Sequence, residues 1–190
     1  MAFLNRAARA VAGILLVAGT LPVAGAWAAT DIQGSVEYRV KAAMLYNFTR
    51  FVRWPATMAT GNELVLCVLG ENPFGDALQD LAGRPTGDRT LAVRHLAGDD
   101  GTDGCGVLFI AASEQANVGN LLRQLGHRPV LTVSELEGFI EEGGIIRFIL
   151  EDNKVRFRIN MTAAEQAGLG ISSKLLKLAR DVDGAPRQGP

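Results

Sequence analysis

Cysteines, histidines, paired acids and glycine-rich turns are the residues of this chain whose types and spacing bear on chemistry, and each set would serve a different reaction. Hydrolysis by a serine nucleophile or a zinc ion calls for G-x-S-x-G or H-E-x-x-H, and neither occurs. His95 continues a strand and His127 sits in a turn; with no serine or carboxylate at a diagnostic spacing, both read as structural or solvated. Gly104-Cys105-Gly106 precedes a strand rather than joining strand to helix. Gly168-Leu169-Gly170-Ile171-Ser172-Ser173-Lys174 lacks the P-loop spacing, so both are read as turns. Gly98-Asp99-Asp100-Gly101-Thr102-Asp103-Gly104 opens like a calcium loop, but Gly101 occupies the third ligand place and Ile110 the twelfth, which leaves a solvated acidic turn. Glu141 and Glu142 are adjacent and share no face of a regular element. The expectation is a protein with no catalytic site, no cofactor and no metal.

The two cysteines depend on the compartment. Residues 1–28 carry Arg6 and Arg9, an uncharged apolar stretch from Val11 to about Val23, and Ala26-Trp27-Ala28 before Ala29, the three parts of a secretory signal peptide. Gly13, Gly19 and Pro22 interrupt the stretch, and it is shorter than the roughly 20 residues a membrane span needs. Ala29 stands where a lipoprotein would need cysteine. An exported product, soluble after signal cleavage, is expected. In an oxidising compartment Cys67, inside Leu64-Val65-Leu66-Cys67-Val68-Leu69, and Cys105, before Val107-Leu108-Phe109-Ile110-Ala111, are expected to form a disulfide between strands; two separate buried thiols are the alternative. With no C-x-x-C and two histidines, a redox or zinc centre is not expected.

The elements that would position these residues follow from hydrophobic periodicity. Val36, Val40, Met44, Phe48, Phe51 and Val52 recur at helical spacing over residues 35–54, with Ser35 as cap, Arg50 and Arg53 near the end and Pro55 beyond it. An apolar strand over 62–69 is followed by a short helix over 73–81, a strand over 90–95, a strand over 106–111 and a helix over 114–125 capped by Ser113 and ended by Gly126. A fourth strand over 129–133 precedes a brief helix over 134–139. The alternation predicts a parallel sheet. Then 145–150 and 154–159, separated by Glu151-Asp152-Asn153, read as an antiparallel hairpin, and helical segments over 161–167 and 172–179 flank a glycine break. The expected fold class is α/β: a three-layer sandwich, a mainly parallel sheet of about four strands extended by the C-terminal hairpin, with helices on both faces. One domain spans 29–180, and 181–190 is a flexible polar tail.

On the hairpin lie Arg147, Arg156 and Arg158; the last two share one face of their strand, while Val155, Phe157 and Ile159 share the other. This reads either as an arginine-bearing binding face or as ordinary solvated alternation. Composition narrows the classes further. With 190 residues, 48% hydrophobic and 21% charged, the chain is an ordinary globular domain rather than a disordered or fibrous one. Its 19 basic and 20 acidic residues give −1, and loss of Arg6 and Arg9 with the signal leaves −3, so nucleic acid is not an expected partner.

Several stretches taken together resemble the YfiR-like periplasmic proteins. They are Glu37-Tyr38-Arg39-Val40-Lys41-Ala42-Ala43-Met44-Leu45-Tyr46-Asn47-Phe48 with Phe51 and Trp54-Pro55, the strand bearing Cys67, Leu81-Ala82-Gly83-Arg84-Pro85, Cys105 before its strand, and Val130-Leu131-Thr132-Val133. The strongest are Phe139 with Gly143-Gly144-Ile145-Ile146, Val155-Arg156-Phe157-Arg158-Ile159-Asn160, Ala163-Ala164, Ala167-Gly168-Leu169, and Ile171-Ser172-Ser173-Lys174-Leu175-Leu176-Lys177-Leu178-Ala179. The resemblance covers nearly the whole mature chain.

It implies a non-enzymatic regulator that binds the periplasmic domain of an inner-membrane diguanylate cyclase, represses it, and so lowers cyclic di-GMP and biofilm formation. An outer-membrane lipoprotein as second partner and a homodimer are also implied, as is an α/β sandwich fold. The family's more widely shared disulfide maps onto Cys67 and Cys105. Some members carry a second cysteine pair near the glycine-rich hairpin; here Ile140 and Arg147 stand in that neighbourhood, and redox sensing through that pair is absent. The resemblance places the partner surface at the hairpin and around Ile146, Arg156, Arg158 and Ala164. A rival reading is a small-ligand sensing module, coupled to another membrane sensor such as a histidine kinase, with its pocket at the carboxyl ends of the parallel strands near Gly70-Glu71-Asn72 and Ala112-Ser113.

Overall fold

The computed structural model describes residues 26–58, 61–97 and 100–184, leaving aside the side chains of residues 26–34 and 57. The expected leader lies outside the described residues except for its last three, as do residues 185–190 of the expected tail. Helix α1 (Ala26–Phe51) leads into β1 (Val52–Arg53) and β2 (Glu63–Leu69), and these are followed by β3 (Pro85–Thr86), β4 (Arg89–Leu96) and β5 (Cys105–Ile110). Then come α2 (Val118–Leu125), β6 (Leu131–Ser134), β7 (Ile146–Glu151), β8 (Lys154–Asn160), α3 (Met161–Gln166), β9 (Gly170–Ile171), α4 (Ser173–Leu176) and β10 (Asp181–Asp183). The architecture is mixed α/β.

The main sheet has eight strands in the order β10-β8-β7-β6-β5-β2-β4-β3. Pairing is parallel from β4 through β2, β5 and β6 to β7, antiparallel between β7 and β8, and parallel again between β8 and β10. Five mutually parallel strands therefore replace the four expected, because the hairpin's first strand joins the parallel set alongside β6. Asp181–Asp183, expected in the tail, is a strand that adds to the sheet against Arg158–Asn160. All six residues of β5 are buried, which is why that segment is a continuous apolar run with no alternation. One core lies between α1, α3, α4 and one sheet face, where Leu45, Phe48, Phe109, Phe148 and Ile159 meet. A second, holding Leu108, Ile110, Val118, Leu125 and Phe139, covers the other face under α2 and the turn after β6. The cover on that face is one two-turn helix with a turn, not the full helical layer of the sandwich the sequence predicts.

Several local expectations change for identifiable reasons. α1 starts nine residues before Ser35, which is therefore interior to it and caps nothing. Its buried side is Ala42, Leu45 and Phe48 rather than the stripe through Val36 and Val40, which are exposed. Residues 73–81 form turns ending in one 3-10 turn, because Gly75 takes φ +53 and interrupts the helical path. α2 begins four residues after Glu114, and Ser113 accepts a hydrogen bond from the Glu71 amide (2.9 Å) instead of capping it. The segment after β6 is a turn that folds Phe139 beneath Gly144, where a Cβ would sit 2.2 Å from the ring. The β7–β8 connection is a two-residue turn with Asp152 and Asn153 both at positive φ (49° and 56°), the twist that suits a hairpin. Asn160 and Ser172 cap α3 and α4, accepting from Ala163 and Leu175.

Cys67 and Cys105 are joined by a disulfide across β2 and β5, with Cα atoms 5.8 Å apart and both side chains buried. The bridge closes 38 residues of chain, so replacing both cysteines by alanine should lower unfolding free energy by roughly 3–4 kcal/mol. Urea denaturation of the two forms measures it, and reductant should shift the wild type towards the double variant.

Candidate functional site

Polar side chains gather where the parallel strands end. Gly70 closes β2 at φ +88, with space for no Cβ beside Ser113, and Ser113 binds Glu71, so the ends of β2 and β5 are tied together. Ser134 at the end of β6 donates to the Ile110 carbonyl (2.7 Å) and accepts from the Leu136 amide (3.2 Å), which fixes the next residue, Glu135. Above them α1 lays Lys41, 4% exposed, between Glu135 and Glu37 one turn earlier on the same helix. The Tyr38 hydroxyl donates to the other oxygen of Glu135 (2.7 Å), and the Lys41 ammonium lies 4.4 Å from the Tyr38 ring centre. Burial first, then the hydrogen bond to Glu135 and the charges of Glu135 and Glu37, hold the Tyr38 phenol well above its ordinary value of 10.0. Beside this cluster opens a groove of about 620 Å³ lined by Tyr38, Arg39, Phe74, Asp76 and Asp80.

A cation locked between two carboxylates and an aromatic ring serves to dock α1 on the sheet. Its nitrogen is committed to those partners. Among the described residues no group of three or more His, Cys, Asp or Glu is arranged to hold a metal ion. The calcium-like turn is bonded within the protein: Asp100 accepts from the Ala97 amide and Asp103 pairs with Arg128. Its residues 98 and 99 lie outside the described residues. His95 and His127 are exposed.

The hairpin divides the residues expected at the partner surface. Ile146 and Ala164 are each 0% exposed, packed in the core under α1 by the inward pleat of β7 and the inner face of α3, so neither offers surface to a partner. Arg158 stands directly opposite Arg147 in the ladder, a like-charge placement that costs stability unless offset. Asp183 (3.0 Å), Asp181 (3.6 Å) and Glu141 (3.6 Å) offset it, and they commit Arg158 to holding β10 and the turn at Glu141. Arg156 is exposed and has no ion-pair partner among the described residues. It lines a groove of about 290 Å³ between α1, β8 and α4. Of the four residues, Arg156 alone presents an uncommitted group. No helix among the described residues is long and apolar enough to cross a membrane.

Periodicity alone does not bring out the cluster of Lys41, Tyr38 and Glu135. Its signal was there: Lys41 falls three and four residues from Tyr38, Leu45 and Glu37, on the side of the helix that continues through Leu45 and Phe48, where a lysine needs a partner.

A family model described as YfiR/HmsC-like matches residues 38–180. A solved structure described as a conserved domain protein from Vibrio cholerae is similar at 10% identity and a TM-score of 0.49, covering 77% of this chain. The match spans 60% of that protein's length.

Two measurements check this site. Lys41→Met leaves Glu135 largely buried without its cation and should cost roughly 3 kcal/mol in urea denaturation, with part regained on adding Glu135→Gln. Tyr38 favours its neutral form in the folded state, so its contribution is complete below pH 10 and is lost as pH rises from there through the raised folded value. Alkaline titration at the phenolate absorbance should therefore show a late step that Tyr38→Phe removes.

Proposed function

Because the chain belongs to the YfiR/HmsC-like family, we propose that it is a periplasmic regulator that binds the sensory part of an inner-membrane diguanylate cyclase and restrains it, lowering cyclic di-GMP and biofilm formation. The family match over residues 38–180 is the observation that carries this reading. Restraint of this kind requires only different affinity for two states of the partner, so the protein works as a binder with no turnover of its own. The partner surface is centred on Arg156 and the β7–β8 hairpin. Arg158, Ile146 and Ala164 act beneath it by holding the hairpin, β10 and α3 in place. An outer-membrane lipoprotein that sequesters the regulator, and a homodimer as the working form, complete the proposal.

One observation favours a second reading. The 620 Å³ groove at the strand ends adjoins a cluster that ties α1 to the sheet, which is where a small ligand would be sensed and its presence passed to the helix. A metabolite that fills it would raise the melting temperature of the isolated protein, whereas a pure partner-binder is stabilised by the cyclase's periplasmic domain alone.

Deleting the gene should raise cellular cyclic di-GMP, and wild-type complementation should restore it. The Cys67→Ala, Cys105→Ala variant should restore less, in line with its lowered stability. No change on deletion would overturn the cyclase reading and leave ligand sensing in first place.

A further inference from the structure

We infer that the groove between α1, β8 and α4 receives an acidic amphipathic helix of the partner protein, an inference that rests on the reading of this chain as a partner-binding regulator. The groove is floored by Phe48 and Phe157 and walled by Met44, Phe51, Val155 and Leu178, the last 63% exposed. Of the four large hydrophobic residues exposed among the described residues, Leu178 lines it and the other three lie beyond the lining residues. Val40 and Val36 continue the outer stripe of α1 one and two turns before Met44, Leu150 pairs with Val155 in the ladder, and Leu178 forms the lip. From Val36 to Phe51 the stripe extends about 22 Å at 1.5 Å per residue, the length of a four-turn helix.

Charge selects the occupant. Segments 44–53, 154–157 and 172–180, which supply the groove, contain seven lysines and arginines and no aspartate or glutamate, in a chain whose net charge is −1. Arg50, Lys154, Lys174 and Lys177 each neighbour a lining residue in sequence, Arg156 lines the groove itself, and all five are exposed. None of the five has an ion-pair partner among the described residues. An apolar trough edged by cations fits a helix with an apolar ridge at i, i+3, i+4 and i+7 and carboxylates on its flanks. A second copy related by a two-fold axis would bring these cations against themselves. A lipid surface would meet the anionic-attracting rim but leave the concavity empty.

The test uses the purified protein and three synthetic 18-residue peptides: one with leucines at that spacing flanked by glutamates, one with the glutamates replaced by lysine, and one with the leucines replaced by serine. Fluorescence anisotropy should show binding of the first alone, weakened about tenfold or more by Arg156→Glu and by Leu178→Asp in proteins whose thermal melts match wild type. Equal binding of the lysine peptide, or no binding of any, overturns the inference. Sedimentation with phosphatidylglycerol vesicles, or self-association, that Leu178→Asp abolishes would also overturn it, assigning the face to membrane or to a second copy. The same two variants expressed in the deletion strain keep the outcomes apart. Full complementation by both, where deletion raises cyclic di-GMP, sinks the groove and leaves the regulator. Peptide binding as expected with cyclic di-GMP unmoved by deletion sinks the regulator and leaves the groove.

Discussion

β5 is buried on both faces along its entire length, and that constraint organises the protein. A strand with no solvated face is stable only if something apolar covers each side, so α1 must cross one face and α2 with the turn around Phe139 must close the other. Each large side chain removed from water on β5 stabilises the fold by roughly 1.5–3 kcal/mol, and Val107, Leu108, Phe109 and Ile110 alternate between the two cores. The disulfide adds its constraint on the α2 side, where the helical cover is short, by fixing the start of β5 to the middle of β2.

Such a core accepts polar groups only at its margins, and the margins are where this protein differs from a generic α/β domain. At the carboxyl end of the strands, Lys41 is carried into the interface on the buried side of α1. Removing it from water is tolerated because Glu37 and Glu135 complete its coordination and the Tyr38 ring covers it. At the β8 end the sheet is extended by charge instead of burial. β10 contributes two aspartates, and Arg158 gathers both together with Glu141. The parallel β8–β10 pairing thus has an electrostatic origin in side chains that alternate on one face.

The central elements were legible because burial writes itself as periodicity. β5, and β2 after Glu63, are unbroken apolar runs, and the hairpin alternates. β10 was not, because Asp-Val-Asp has the composition of a tail, and its place is decided by an arginine 23 residues earlier in the chain. The helix over 73–81 failed against a single glycine whose backbone conformation periodicity does not register. Of the interaction residues, the arginines of β8 were visible as a face. Which of them is free depended on acids brought in by β10 and the turn at Glu141, a tertiary fact. Ile146 and Ala164 carry the resemblance to the family as packing residues, so motif similarity marked the region and not the surface.

α1 resolves into two apolar stripes, and this is the least expected feature of the molecule. A helix covering one side of a sheet needs one such stripe, and Ala42, Leu45 and Phe48 supply it. The second runs from Val36 and Val40, which are exposed, to Met44 and Phe51, which are half-buried against the core, and its exposed part carries a standing risk of nonspecific association. The basic residues that flank its groove reduce that risk. They repel other copies of the same surface, and by attracting only partners of opposite charge they convert a sticky face into a selective one. Selectivity of that kind acts before contact, since a cationic patch on a net acidic protein orients it as an acidic partner approaches. The acids that hold Arg158 lie on β10 and the Glu141 turn. Placed beside Arg156 they would have neutralised the patch that the groove depends on.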